Sequence, residues 1–137
     1  MNRELAVKYA WSMLGLPYHW GGDDPMRGFD CSGLVIEVFQ AVGLLPHNSD
    51  TTANGLYIRY KDKMPTHNQA GCLCFWFNVA GVATHVEMLI DEEHTIGASG
   101  GGSSTTSADA AADQNAFVKI RPLGYRGANY KVRDPFL

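Results

Sequence analysis

The sequence predicts an α+β domain, with helices in the first half and an antiparallel sheet packed against them from the second. Two patterns and one bound predict it. Up to about residue 60 the apolar residues recur at helical spacing, whereas from residue 71 onward they fall in short dense or alternating runs. The length of 137 residues, with 45% apolar and 18% charged, suits one domain around one core. No internal repeat or linker divides the chain, so residues 1–137 read as a single domain.

The first helix is expected from about residue 3 to 14, with Leu5, Ala6, Tyr9, Ala10, Met13 and Leu14 on one stripe, Asn2 as cap, and Gly15 and Pro17 as the stop. Leu16 to Gly22 is a loop rich in aromatics and glycine, followed by a polar turn, Asp23-Asp24-Pro25. Its rings, Tyr18 and Trp20, either roof a cleft or plug into the core. A second helix is expected from Cys31 to Val42, burying Leu34, Val35, Val38, Phe39 and Val42 and ending at Gly43. Ser49 to Thr52 can cap a short third helix that starts at Ala53.

Cys72 to Phe77 reads as a strand buried on both faces. Thr84 to Asp91 reads as a second strand, with Val86, Met88 and Ile90 on one face and His85, Glu87 and Leu89 on the other. The Cys31 helix is the expected cover for the His85 face. Asp91-Glu92-Glu93 makes a turn, and His94 to Ala98 returns antiparallel. Ser99 to Ser107, all small or polar, is expected to be a slack connection rather than a flap. Phe117 to Arg121 is a late strand, and the tail from Tyr125 to Leu137 shows no period.

Composition excludes several roles. A net charge of −3 with no Lys/Arg cluster argues against a nucleic-acid surface. No apolar run reaches membrane-spanning length. Met1-Asn2-Arg3-Glu4 is not a basic region followed by an apolar stretch, so no signal peptide is expected, and action outside a cell would require delivery. Three cysteines do not make a disulfide framework. Cys72 and Cys74 read as small core residues. A zinc site from Cys72, Cys74, His85 and His94 is conceivable, but Cys-x-Cys is poor ligand spacing, and no metal or cofactor is expected.

The chemistry points to Cys31. Gly28-Phe29-Asp30-Cys31-Ser32-Gly33 places a thiol where a loop becomes a helix, beside unpaired N–H groups and the positive end of the dipole. Such a thiol ionises more readily, and the thiolate is the nucleophile. It needs a base within hydrogen-bond reach. His47 and His67 sit in polar connections; His19 follows Tyr18 in the aromatic loop; His85 opens a strand and pairs best with a buried nucleophile's helix.

Leu16-Pro17-Tyr18-His19-Trp20-Gly21-Gly22, followed by Phe29-Asp30-Cys31-Ser32-Gly33-Leu34-Val35, resembles the signature of the NlpC/P60 cysteine peptidases. Leu45-Pro46, the Gly71 to Phe77 strand and His85-Val86 match the family in order, over roughly Leu5 to Ser99. The resemblance implies a papain-like fold and cleavage of peptide bonds in bacterial peptidoglycan, commonly between D-glutamate and a diamino acid. It implies Cys31 as nucleophile and His85 as base, with Tyr18 near the thiol. Asp30 and Ser32 would contact the free amine of the stem peptide, and Tyr18 and Trp20 would wall the cleft. The family's third polar residue, often histidine, falls at Gly97, while Glu87 stands where the family has glycine and Cys72 where it has an aspartate. Glu87 is then the candidate to orient His85, with His94, Ser99 or a water as alternatives. The implied partner is peptidoglycan, reached from a phage, a secretion machine or a longer parent chain. A thiol amidase or acyltransferase, or a non-catalytic wall-binding module, are the competing readings.

Overall fold

A computed structural model describes residues 2–24 and 28–137. The helices are α1 (Asn2–Ser12), α2 (Cys31–Ala41), α3 (Ala53–Tyr60) and α4 (Ala108–Asp113). Two short strands, β1 (Asp23–Asp24) and β2 (Gly28–Phe29), pair ahead of α2. Asp23 and Asp24 thus form a strand where a turn was expected; Pro25 lies outside the described residues. The main sheet has five antiparallel strands in the order β6-β5-β4-β3-β7: β3 (Leu73–Phe77), β4 (Ala83–Leu89), β5 (His94–Ser99), β6 (Phe117–Pro122) and β7 (Tyr130–Arg133). This is the expected α+β architecture.

α2 is the buried centre of the helical layer. Its apolar residues leave Leu34, Val35, Ile36, Val38 and Phe39 almost without exposure. They share one core with Leu73, Phe75, Val86, Met88 and Ile96 from the sheet. α1 packs on α2 and buries Ala6 and Ala10, with Met13 buried just beyond its end, but Leu5 and Leu14 of the predicted stripe are exposed. Small residues on that face let the helices approach, and the larger side chains beside them turn outward. Asn2 is the first helical residue rather than a cap. α3 is capped as expected: the Thr52 hydroxyl accepts the Gly55 N–H at 3.1 Å.

The other face of the sheet differs from expectation. α2 packs on the Val86/Met88 side, so it does not cover His85, Glu87 and Leu89. Cys72, Cys74, Trp76 and Leu89 form a second cluster there, closed by Leu123, Tyr125, Tyr130 and Val132. Strand alternation says which residues share a face but not which segment covers it. The cover is the C-terminal tail, which shows no period yet returns to the sheet as β7, pairing Leu73 to Trp76 with Arg133 to Tyr130. Arg3 ties that tail down. Its Nη2 lies 2.9 Å from Asp134 Oδ2, and its guanidinium lies over the Phe136 ring at 5.0 Å.

The Ser99 to Ser107 segment is docked rather than slack. Thr105 is fully buried, and its carbonyl accepts the Trp20 N–H at 2.7 Å. The Gly101 backbone lies so close to Tyr18 that a Cβ there would overlap the ring. Small residues are needed for close approach, not for slack. The segment leads into α4, whose cap is Ser107.

Candidate active site

Cys31 is the first residue of α2 and is half-buried. The turn into the helix is set by Asp30, whose extended backbone and Oδ1, accepting the Gly33 N–H at 2.7 Å, make it the N-cap. Asp30 also accepts, at 3.4 Å, from Ser32 Oγ, with the Gly21 N–H close by. Burial raises the Asp30 pKa, and these donors oppose the rise. Asp30 and Ser32 therefore brace each other at the head of the helix. Gly33 is required there, because a Cβ would overlap the carbonyl oxygen of Gly22 in the aromatic loop.

A cleft of about 670 Å³ opens over this helix end. Tyr18, Trp20, Asp30, Cys31 and Ser32 line it on one side; Asp50 to Ala53, Ala83 and Thr84 line the other. The two rings of the aromatic loop divide their roles. Tyr18 is buried, whereas Trp20 is half-exposed at the rim. Burial pushes the Tyr18 phenol pKa up, and the neighbouring Cys31 thiol adds to the rise, so the hydroxyl keeps its proton and can donate.

His85 enters from β4. Trp76 pairs with His85 and Phe77 with Ala83, so Thr84 is an extra residue in the ladder. That bulge leaves Thr84 facing the cleft and His85 almost fully buried behind it. The imidazole packs 5.6 Å from the Trp76 ring and lies within hydrogen-bonding reach of the Cys31 thiol. Its Nε2 lies 2.6 Å from Glu87 Oε2, which leaves Nδ1 for the thiol. Burial alone would lower the His85 pKa; the hydrogen bonds to Cys31 and Glu87 outweigh it, and the pKa rises.

Glu87 is wholly buried, and both of its oxygens are held. Thr95 Oγ1 donates to Oε1 at 2.7 Å, and the Tyr125 hydroxyl donates to Oε2 at 2.6 Å. Burial raises its pKa, but the His85 hydrogen bond, the imidazolium charge and the two hydroxyls outweigh that, and the pKa falls. The space for this side chain comes from Gly97. The β4–β5 ladder closes at Met88↔Ile96 and Leu89↔Thr95. Continuing that register sets Gly97 against Glu87, and a Cβ on Gly97 would overlap Glu87 Cγ and lie 2.7 Å from Cδ.

The other candidates are placed elsewhere. His94 binds Asp91 on the exposed β4–β5 turn, at the end of β5 away from Ser99. Ser99 is buried beside Tyr125 and makes no hydrogen bond to His85. Cys72 and Cys74 are fully buried, and burial pushes both thiol pKa values up. His94 and Cys72 lie at the end of β4 opposite His85, so Cys72, Cys74, His85 and His94 do not converge. Among the described residues no group of three or more His, Cys, Asp or Glu is placed to hold a metal. Sequence reasoning missed Thr95 and Tyr125, since nothing local marks hydroxyls that meet a carboxylate 8 and 38 residues away. It also missed Asp50 as a wall of the cleft, having read it only as part of a cap.

A model of the NlpC/P60 family matches residues 15–122. This chain belongs to the NlpC/P60 family. Among curated relatives, the probable endopeptidase Rv2190c of Mycobacterium tuberculosis is 49% identical over 55 residues, covering 39% of this chain and 14% of that protein. The murein DD-endopeptidase MepH of Escherichia coli is 33% identical over 91 residues, 64% of this chain and 32% of MepH. The chain thus spans a third or less of these relatives. An NlpC/P60 family protein from Bacillus cereus superposes over 96% of this chain and 39% of its own, with a TM-score of 0.70 at 23% identity. That likeness gives the NlpC/P60 chain its fold, a papain-like arrangement of helices on an antiparallel sheet.

Proposed function

We propose that this chain is a cysteine endopeptidase that hydrolyses peptide bonds in bacterial peptidoglycan, with the D-glutamyl–diamino acid bond of the stem peptide as the scissile one. The observation that carries the reading is the run of side chains from Cys31, on the wall of an open cleft, through the buried His85 to Glu87. Family membership and endopeptidase relatives support it.

The chemistry follows from the contacts. With Glu87 accepting the His85 Nε2 proton, Nδ1 is the ring nitrogen left to serve the thiol. His85 takes the Cys31 proton, and the thiolate attacks the scissile carbonyl. The Cys31 N–H, at the start of the helix, donates to the oxyanion. The imidazolium gives its proton to the leaving amine, and a thioester remains. Water, deprotonated by His85, then releases the acyl half and restores the thiol. Asp30 and Asp50, on opposite sides of the cleft, give it an acidic character suited to the free amine of a stem peptide, Ser32 adds a hydroxyl, and Tyr18 and Trp20 supply the walls. Delivery to the wall by a phage, a secretion machine or a longer parent chain belongs to the same proposal.

Digestion of purified peptidoglycan, with the fragments weighed by mass spectrometry, tests it. The expected products are a stem fragment ending in D-glutamate and a second beginning with a free diamino acid amine, from wild type and not from Cys31→Ala. Fragments cut at the D,D cross-link would replace the proposed bond with the one in MepH's name. Wall that stays whole while a simpler acyl substrate turns over would mark a different thiol hydrolase, and binding without any cleavage a wall-binding module.

A further inference from the structure

The proposed base and its carboxylate sit on the sheet face that the C-terminal tail covers, and one tail residue touches the carboxylate. Tyr125 lies three residues beyond the stretch matched by the family model, which ends at 122. Its ring is wedged between Trp76, 5.8 Å away, and the Arg121 guanidinium, 5.4 Å from the ring centre. That packing leaves its hydroxyl aimed at Glu87 Oε2, the oxygen that also meets His85.

We infer that Tyr125, with Thr95, is a positioning residue that keeps the Glu87 carboxylate ionised and turned toward His85. The inference rests on the proposed roles of Cys31, His85 and Glu87. A buried carboxylate with one partner would tend to take up a proton. Here Oε1 has the Thr95 donor, and Oε2 is shared between His85 and Tyr125. Two fixed hydroxyls stabilise the anion without neutralising it, so its charge stays available to the imidazolium.

The groups facing Glu87 are consistent with this. Cys74 from β3 is a protonated thiol with its pKa raised by burial. Lys119 stands opposite Gly97 on β6, but its Nζ lies over the Phe117 ring, 4.6 Å from its centre. Arg121 and Arg126 act on Tyr125 rather than on the carboxylate. Burial and the adjacent Glu87 charge push the Tyr125 pKa up to about 12, so it is a donor throughout the working range.

The test compares the full chain as wild type, Tyr125→Phe and Glu87→Gln. The Glu87 carboxyl is titrated by ¹³C NMR, and Cys31 alkylation by iodoacetamide is followed from about pH 4 to 9. Tyr125→Phe should raise the carboxyl titration by about one pH unit, a tenfold change in its ionisation constant. The acid limb of Cys31 alkylation should move up with it while the basic limb holds. A titration and profile identical to wild type would overturn the inference. If Glu87→Gln shifts the alkylation profile and Tyr125→Phe does not, Tyr125 alone loses its role. If neither shifts it, the proposed role of Glu87 falls too. A wild-type measurement needs no variant: the Tyr125 phenol should titrate near 12 and not at its ordinary value of 10.0. Titration at the ordinary value would equally overturn the inference.

Discussion

Glu87 is where sequence and chemistry meet most sharply at the residue scale. Replacing it with glutamine keeps the volume but removes the charge. The variant should lose about 100-fold or more in kcat with KM little changed, because proton transfer and not substrate contact is impaired. Steady-state kinetics on a defined stem peptide check this. The same pair also shapes stability against pH. His85 has a raised pKa, so its contribution is full below its ordinary value of 6.5 and fades as pH rises through the folded value. Glu87 has a lowered pKa, so its contribution is full above its ordinary value of 4.5 and fades as pH falls through the folded value. The difference in melting temperature between wild type and Glu87→Gln should therefore be largest from 4.5 to 6.5 and shrink on both sides. A difference that stays flat across the range would show that the pair carries no pH-linked stability.

Between elements, the decisive contact is the one between β4 and β5. Glu87 on β4 fills the space that a side chain at Gly97 on β5 would occupy. Gly97→Ala should cost about 1–3 kcal/mol by overpacking and displace the carboxylate, lowering activity as well. Gly102→Ala, where a Cβ meets nothing within 4 Å, should leave stability nearly unchanged. Urea denaturation of the two variants makes the comparison. Much of this scale is legible in the sequence. The stripe in α2 and the alternation of β4 place Cys31 at a helix start and put His85 and Glu87 on one face, because both periods are local. The cover over that face is not legible. β7 is four residues long, α4 is six, and Tyr125 reaches Glu87 only through long-range packing, so none leaves a periodic trace. The docking of Ser99 to Ser107 is hidden for the same reason, since small residues specify loops and close contacts alike.

For the whole molecule, the two ends of the chain are fastened beside each other. Arg3 at the start of α1 meets Asp134 at the end of the tail, and Asp134 is buried. Arg3→Ala would leave that carboxylate the Phe136 N–H but no counter-charge. It should cost about 2–4 kcal/mol, below the figure for a fully buried pair because Arg3 keeps some exposure. The loss should appear in chemical denaturation, with increased amide exchange in β7 and around Tyr125. Exchange confined to α1 would show that the tail is held by the sheet alone. The tail thus links stability to chemistry, since it carries the hydroxyl that meets Glu87.

The central claim is that Cys31 forms a covalent bond to the substrate while His85 and Glu87 manage the proton. Acid-quenching wild-type protein during turnover of a stem peptide, then weighing the intact chain and its Cys31 peptide, observes that bond itself. An adduct with the mass of the acyl half is expected on Cys31, absent from Cys31→Ala, which should also fail to turn over. Undiminished turnover by Cys31→Ala, with no adduct on the wild-type thiol, would contradict it.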